Sequence, residues 1–70
     1  MLIQTTESGR NVQGVTRLER ALLEGAIEPI NMLDLVEHCS KARSTQFRPN
    51  RIAEVVTKME SHGYVKITKQ

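Results

Sequence analysis

Residues 47–67, "FRPNRIAEVVTKMESHGYVKI", hold the transitions that decide the fold. Pro49 suits the first turn of a helix, where its missing N–H would have had no partner in any case. At about 100° per residue, Ile52, Val55, Val56 and Met59 fall on one wall, and Asn50, Glu54, Thr57 and Ser61 fall opposite, flanked by Arg51 and Lys58. Gly63 stands where a helix commonly ends in a left-handed residue. "YVKIT" then alternates, with Val65 and Ile67 on one face and Tyr64, Lys66 and Thr68 on the other. The stretch predicts an amphipathic helix, a glycine stop and a half-buried strand.

Upstream, two more helices carry start signals. Thr16 followed by Glu19 forms a capping box ahead of Leu18, Ala21, Leu22 and Leu23, so a first helix is expected from Arg17 to Glu24, with Gly25 as its left-handed stop. Asn31 is a good N-cap, Asp34 places a negative charge in the first turn, and Ile30 can staple onto Leu35. A second helix therefore starts at Met32, and its stripe of Met32, Leu35, Val36 and Cys39 predicts about ten residues, with Ala42 as a further member. Between the two, "AIEPI" is a short edge-strand candidate, because Pro29 cannot donate to a ladder. Residues 4–14, polar and carrying two glycines, read as a flexible leader within a 1–14 segment that could include a short strand; residues 15–70 form the domain.

Seventy residues make one domain, and at that size a folded chain buries only about 60% of the surface it exposes when unfolded. Cys39 is the sole cysteine, so no internal disulfide forms; His38 is adjacent to it rather than at the i,i+3 or i,i+4 spacing of ligands, and His62 is isolated. Cys39 reads as a small buried hydrophobe, and a cytoplasmic location is expected because no basic n-region, apolar signal segment or membrane-length apolar run occurs. No metal and no cofactor is expected. No nucleophile has a placed base and no glycine-rich phosphate loop exists, so the sequence is not read as an enzyme.

The charge is divided unevenly. Residues 1–40 carry three Arg against six Asp and Glu, 3 − 6 = −3; residues 41–70 carry seven Lys and Arg against two Glu, 7 − 2 = +5. Such a split between halves points to a polyanionic partner. Two aromatic residues, Phe47 and Tyr64, are too few for the stacking platforms of single-strand binders. Phe47 is expected as a core plug and Tyr64 as half-buried beside the strand.

Three short helices followed by a strand through "KMESHGYVKI" resemble the winged helix-turn-helix domains of bacterial, phage or plasmid regulators. In those domains the third helix commonly ends in a leucine or methionine, a few polar residues, a glycine, an aliphatic or aromatic residue and a valine; Met59, Gly63, Tyr64 and Val65 stand at those places. The likeness spans residues 15–68 as a pattern and "VVTKMESHGYV" as residues. It implies a mainly α fold with a small β component, a three-helix winged-helix-like domain. Two departures are plain. The sequence ends at Gln70, after one wing strand, so the wing is expected to be truncated and any sheet to be completed by "AIEPI", by "MLIQT" or by a second subunit. The connector from about Ala42 to Arg48 also exceeds the short turn of the simple motif.

The resemblance implies a small DNA-binding protein, a transcriptional regulator that places its third helix in the major groove of double-stranded DNA. Asn50, Arg51 and Glu54 are then the candidates for base contact, since Asn pairs with adenine, Arg with guanine and a carboxylate with cytosine. Lys41, Arg43, Arg48, Thr57, Lys58 and Lys66 are the candidates for backbone contact, with Lys69, Ser44, Thr45 and Gln46 as helpers. Against this, Glu54 repels phosphates, and Arg51–Glu54 and Glu54–Lys58 pairs would make the same face an ordinary solvated one. A homodimer, or a protein partner that completes the sheet, is expected. The alternative reading is a protein–protein interaction module, accessory or inhibitor, using the open strand without DNA.

Overall fold

The structure, a computed structural model, describes residues 1–69. The elements run β1 (Leu2–Thr5), α1 (Glu7–Asn11), α2 (Arg17–Gly25), α3 (Met32–Arg43), α4 (Pro49–Ser61) and β2 (Val65–Thr68). The fold is mainly helical with one small antiparallel sheet, as the sequence implies. The three expected helices are α2, α3 and α4.

Each helix begins with the chemistry anticipated for it. The Thr16 hydroxyl accepts from Glu19 N at 3.1 Å and a Glu19 carboxylate oxygen accepts from Thr16 N at 2.8 Å, closing the capping box of α2. Asn31 Oδ1 accepts from Asp34 N at 2.9 Å to open α3. α4 opens on Pro49, with Arg48 as its N-cap and no side chain capping it. It closes at Gly63, φ 79°. There Tyr64 N donates to Met59 O and Gly63 N to Glu60 O, both at 2.9 Å, which is the six-to-one and five-to-two bonding of a Schellman stop.

The sheet is completed from within the chain. β1 pairs antiparallel with β2 in the register Leu2–Thr68, Ile3–Ile67, Gln4–Lys66, Thr5–Val65. On its other side Ile3 exchanges backbone bonds of 2.8 and 3.0 Å with Ile30, and Thr5 N donates to Ala26 O at 2.7 Å. β1 is therefore central, between β2 and the "AIEPI" segment, and Pro29 leaves that segment only one bridge.

Three expectations need correction. Residues 4–14, read as a flexible leader, carry regular structure: β1, the short strand allowed for in residues 1–14, takes in Gln4 and Thr5, and α1 follows, capped by the Thr6 hydroxyl, which accepts from Gly9 N at 3.1 Å and donates to Gly63 O at 2.6 Å. Tertiary contacts hold this five-residue helix, and its own sequence shows no period. Gly25 is not a left-handed stop; it is the last residue of α2, and a Cβ there would strike the His38 ring. Helix α3 also runs on to Arg43, so the linker to α4 shortens to residues 44–48, with Ser44 itself left-handed at φ 51°.

The core gathers Ile3 from β1, Leu22, Leu23 and Ala26 from α2 and its end, Leu35 and Cys39 from α3, Ile52, Val55, Val56 and Met59 from α4, and Val65 from β2. Fully burying a Val, Leu, Ile or Met side chain contributes about 1.5–3 kcal/mol, so each of these five elements is fixed by at least one such residue, whereas α1 buries only Gly9. Tyr64 packs half-buried against this cluster, as expected, and Phe47, expected as a core plug, also lies only half-buried at its margin. Cys39 is fully buried, and burial pushes its thiol pKa up. With its inner wall in the core, α4 presents its polar wall to solvent.

Candidate nucleic-acid interface

The periodicity that buries Ile52, Val55, Val56 and Met59 forces the remaining residues of α4 outward. Asn50, Glu54 and Thr57 border, with Ala53, a shallow groove of about 490 Å³ on that outer face. Arg51 and Lys58 lie on its flank, where α4 faces the start of α2 and the last turn of α3 across a cleft of about 610 Å³. Arg43 lines that cleft as well, so it shares a surface with Arg51 and Lys58. Arg48 is exposed at the cap of α4.

Ion pairing separates these residues by role. Arg51 Nη1 lies 3.8 Å from Glu54 Oε2, a long pair between two exposed side chains. Lys58 does not turn to Glu54. Its ammonium reaches Glu19 Oε2 at 2.8 Å, and the Glu19 side chain is only 10% exposed. The Lys58 hydrogen bond, followed by that of the Thr16 backbone N–H, holds the Glu19 carboxyl below its ordinary range. Lys58, read as a backbone-contact candidate, is thus already neutralised by the protein. The Thr57 hydroxyl donates back to Ala53 O at 3.0 Å, which leaves its oxygen only as an acceptor unless it rotates.

Two candidates lie elsewhere. Lys41 pairs with Glu37 at 2.9 Å and borders a separate groove with Ser44, Thr45, Gln46 and Phe47. Lys66 points from β2 into a groove shared with Gln4, Arg10 and Asn11. Neither shares a pocket with the outer face of α4. Sequence reasoning missed Arg17, which lines the cleft beside Arg43 and Arg51, and missed the second role of Glu19. The capping box marks Glu19 in the sequence, but nothing local marks a partner 39 residues away.

Among the described residues, no group of three or more His, Cys, Asp or Glu could hold a metal ion. His62 stacks on Tyr64, ring centroids 5.6 Å apart, at the end of α4. No helix is long and apolar enough to cross a membrane among the described residues. No family model, no curated protein and no solved structure matches the chain.

Proposed function

We propose that the chain is a small DNA-binding protein of the transcription-regulator kind that lays α4 in the major groove. The observation that carries this reading is the outward wall of α4, polar and unpacked, with Asn50, Glu54 and Thr57 on it and Arg51, Arg43 and Arg48 around its N-terminal half. A helix enters the groove with such a wall, its early residues reaching base edges while basic neighbours hold phosphates. Asn50 and Arg51 are the base readers; Arg43 and Arg48 are backbone contacts. The excess positive charge of residues 41–70 draws this half toward the duplex. A homodimer on two half-sites doubles the few contacts one α4 can make. The single buried thiol, with no disulfide partner, suits work in the cytoplasm.

Fluorescence titration of labelled duplexes over a range of salt tests the reading. Affinity should fall steeply as salt rises, and Asn50→Ala with Arg51→Ala should weaken binding by at least about tenfold, as expected for two lost base contacts. Absence of binding at low salt sinks the idea.

A protein-binding module is the second reading, and the edge of β2 favours it. Ile3 and Thr5 direct their N–H groups away from β2, so Leu2 and Gln4 carry the ladder to Thr68 and Lys66. The backbone groups of Ile67 then face away from β1 with no backbone partner among the described residues, whereas Val65 is buried, so the edge on which another strand can add is short. Capture of a defined protein that survives nuclease treatment, and is lost on Ile67→Pro, would favour this reading over DNA.

A further inference from the structure

The cleft between α2, α3 and α4 has a charge surplus that the fold does not use. Four cations line it, Arg17, Arg43, Arg51 and Lys58, against two carboxylates, Glu19 and Glu54. Both oxygens of Glu19 are engaged, Oε1 by Thr16 N and Oε2 by Lys58 Nζ, each at 2.8 Å. Glu54 faces Arg51. Arg17 and Arg43 have no carboxylate within 4.0 Å among the described residues, so two guanidinium groups remain unbalanced beside one space. The Thr16 hydroxyl, which accepts from Glu19 N, keeps its proton free for an anion at the same place.

We propose that this cleft is a phosphate-holding site in which Arg17 and Arg43 clamp one phosphate group, while Glu19 keeps Lys58 as a structural tie outside the clamp. Planar guanidinium forks bind phosphate oxygens in bidentate fashion and keep their charge at every relevant pH. The ligand follows from the position of the cleft and rests on the DNA reading above. A helix about 10–12 Å across fills a major groove about 12 Å wide, so its flanks lie against the two phosphate rows. Arg51 stands on the flank of α4 that borders the cleft, and Arg43 and Arg17 continue the basic surface beyond it. Arg17 is therefore assigned to DNA although it belongs to α2 and to the acidic half of the sequence.

Duplex binding over a salt series, on wild type, Arg17→Ala, Arg43→Ala and the double variant, tests the assignment, with circular dichroism to establish folding. Losing one phosphate contact should flatten the slope of log affinity against log salt by about 0.9 and weaken all duplex sequences alike. The double variant should lose little more than either single one, since the two residues hold the same group. Arg10→Ala, on another groove, serves as the comparison for simple loss of charge. If wild type binds and the folded double variant matches Arg10→Ala in slope, the clamp is overturned and the DNA reading stands. If wild type binds no duplex, the DNA reading fails, and a second arm decides the clamp. In that arm inorganic phosphate is titrated against sulfate-free chloride at equal ionic strength, with the Arg Nε–H resonances followed by NMR. Shifts confined to Arg17 and Arg43 keep the phosphate site, and their absence overturns it.

Discussion

The Lys58 ammonium lies 2.8 Å from Glu19 Oε2, joining the exposed flank of α4 to a carboxylate that is also the N3 partner of the α2 capping box. One buried carboxylate thereby satisfies the first turn of α2 and fixes α4 beside it, and the cleft between the two helices takes its shape from that tie.

This pair predicts a pH-dependent stability. The folded-state pKa of Glu19 is lowered, chiefly by the Lys58 hydrogen bond, so its contribution is full above about pH 4.3, the unperturbed glutamate value, and is lost as pH falls through the lower folded value. Glu19→Gln keeps an acceptor for Thr16 N but loses the charge attraction. Because the Lys58 side chain is 58% exposed, solvent screening limits the loss to about 0.5–1 kcal/mol at neutral pH. Urea unfolding across pH 3–7 should show Glu19→Gln converging on wild type in acid. Parallel curves for the two proteins would sink the assignment.

Gly9 and Gly25 predict different outcomes for the same substitution. A Cβ at Gly9 would strike the backbone carbonyl of Tyr64 and the Thr5 methyl, atoms fixed by β1 and the start of β2. Gly9→Ala should destabilise by about 1–3 kcal/mol, the usual range for overpacking. A Cβ at Gly25 meets only the exposed His38 ring, which can swing aside, while alanine favours the helix by up to about 1 kcal/mol. Gly25→Ala should therefore fall near neutral in a thermal melt. Equal losses at both positions would contradict this account.

The elements legible in the sequence are those with local causes. The Thr16–Glu19 box, the Asn31 cap, Pro49, the four-residue wall of α4 and the Gly63 stop all act within a few residues, and each is found where the pattern places it. What stayed open depends on distant chain. "MLIQT" is one of three candidates to complete the sheet, but with only two apolar residues in "LIQT" nothing local selects it, and its pairing with β2 joins opposite ends of the sequence. α1 rests on Thr6 bonding Gly63, 57 residues away. The candidate site divides in the same way: the periodicity of α4 marks its outer wall, whereas Arg17 is brought to the cleft only by packing of α2 against the rest.

Ser44 predicts a stabilising change. It is a non-glycine residue at φ 51°, ψ 38°, closing α3 through bonds from Ser44 N to Lys41 O and from Thr45 N to Ser40 O. The left-handed conformation costs an L-residue about 1–2 kcal/mol, partly offset in a glycine variant by the greater freedom of the unfolded chain. Ser44→Gly should raise stability by about 0.5–1 kcal/mol, a rise of several degrees in Tm for a domain this small. A lower Tm would mean that the Ser44 side chain contributes more than its backbone conformation costs.

Glu54 supplies the sharpest prediction about the outer wall of α4. It stands between Asn50 and Thr57 and holds Arg51 by a long pair of 3.8 Å between side chains 60% and 74% exposed, which adds at most a few tenths of a kcal/mol to the helix. Glu54→Gln should therefore leave the melting curve within about 0.5 kcal/mol of wild type. On the DNA reading the same change removes a charge facing phosphates and frees Arg51, so affinity for duplexes of arbitrary sequence should rise about fivefold, equivalent to about 1 kcal/mol. That gain should shrink as salt is added. If cytosine acceptance by Glu54 governs binding, one particular duplex should instead lose affinity while the rest gain, and a panel of duplexes differing at single base pairs separates the two roles. A variant whose affinity for every duplex equals that of wild type would remove the outer wall of α4 from the interface.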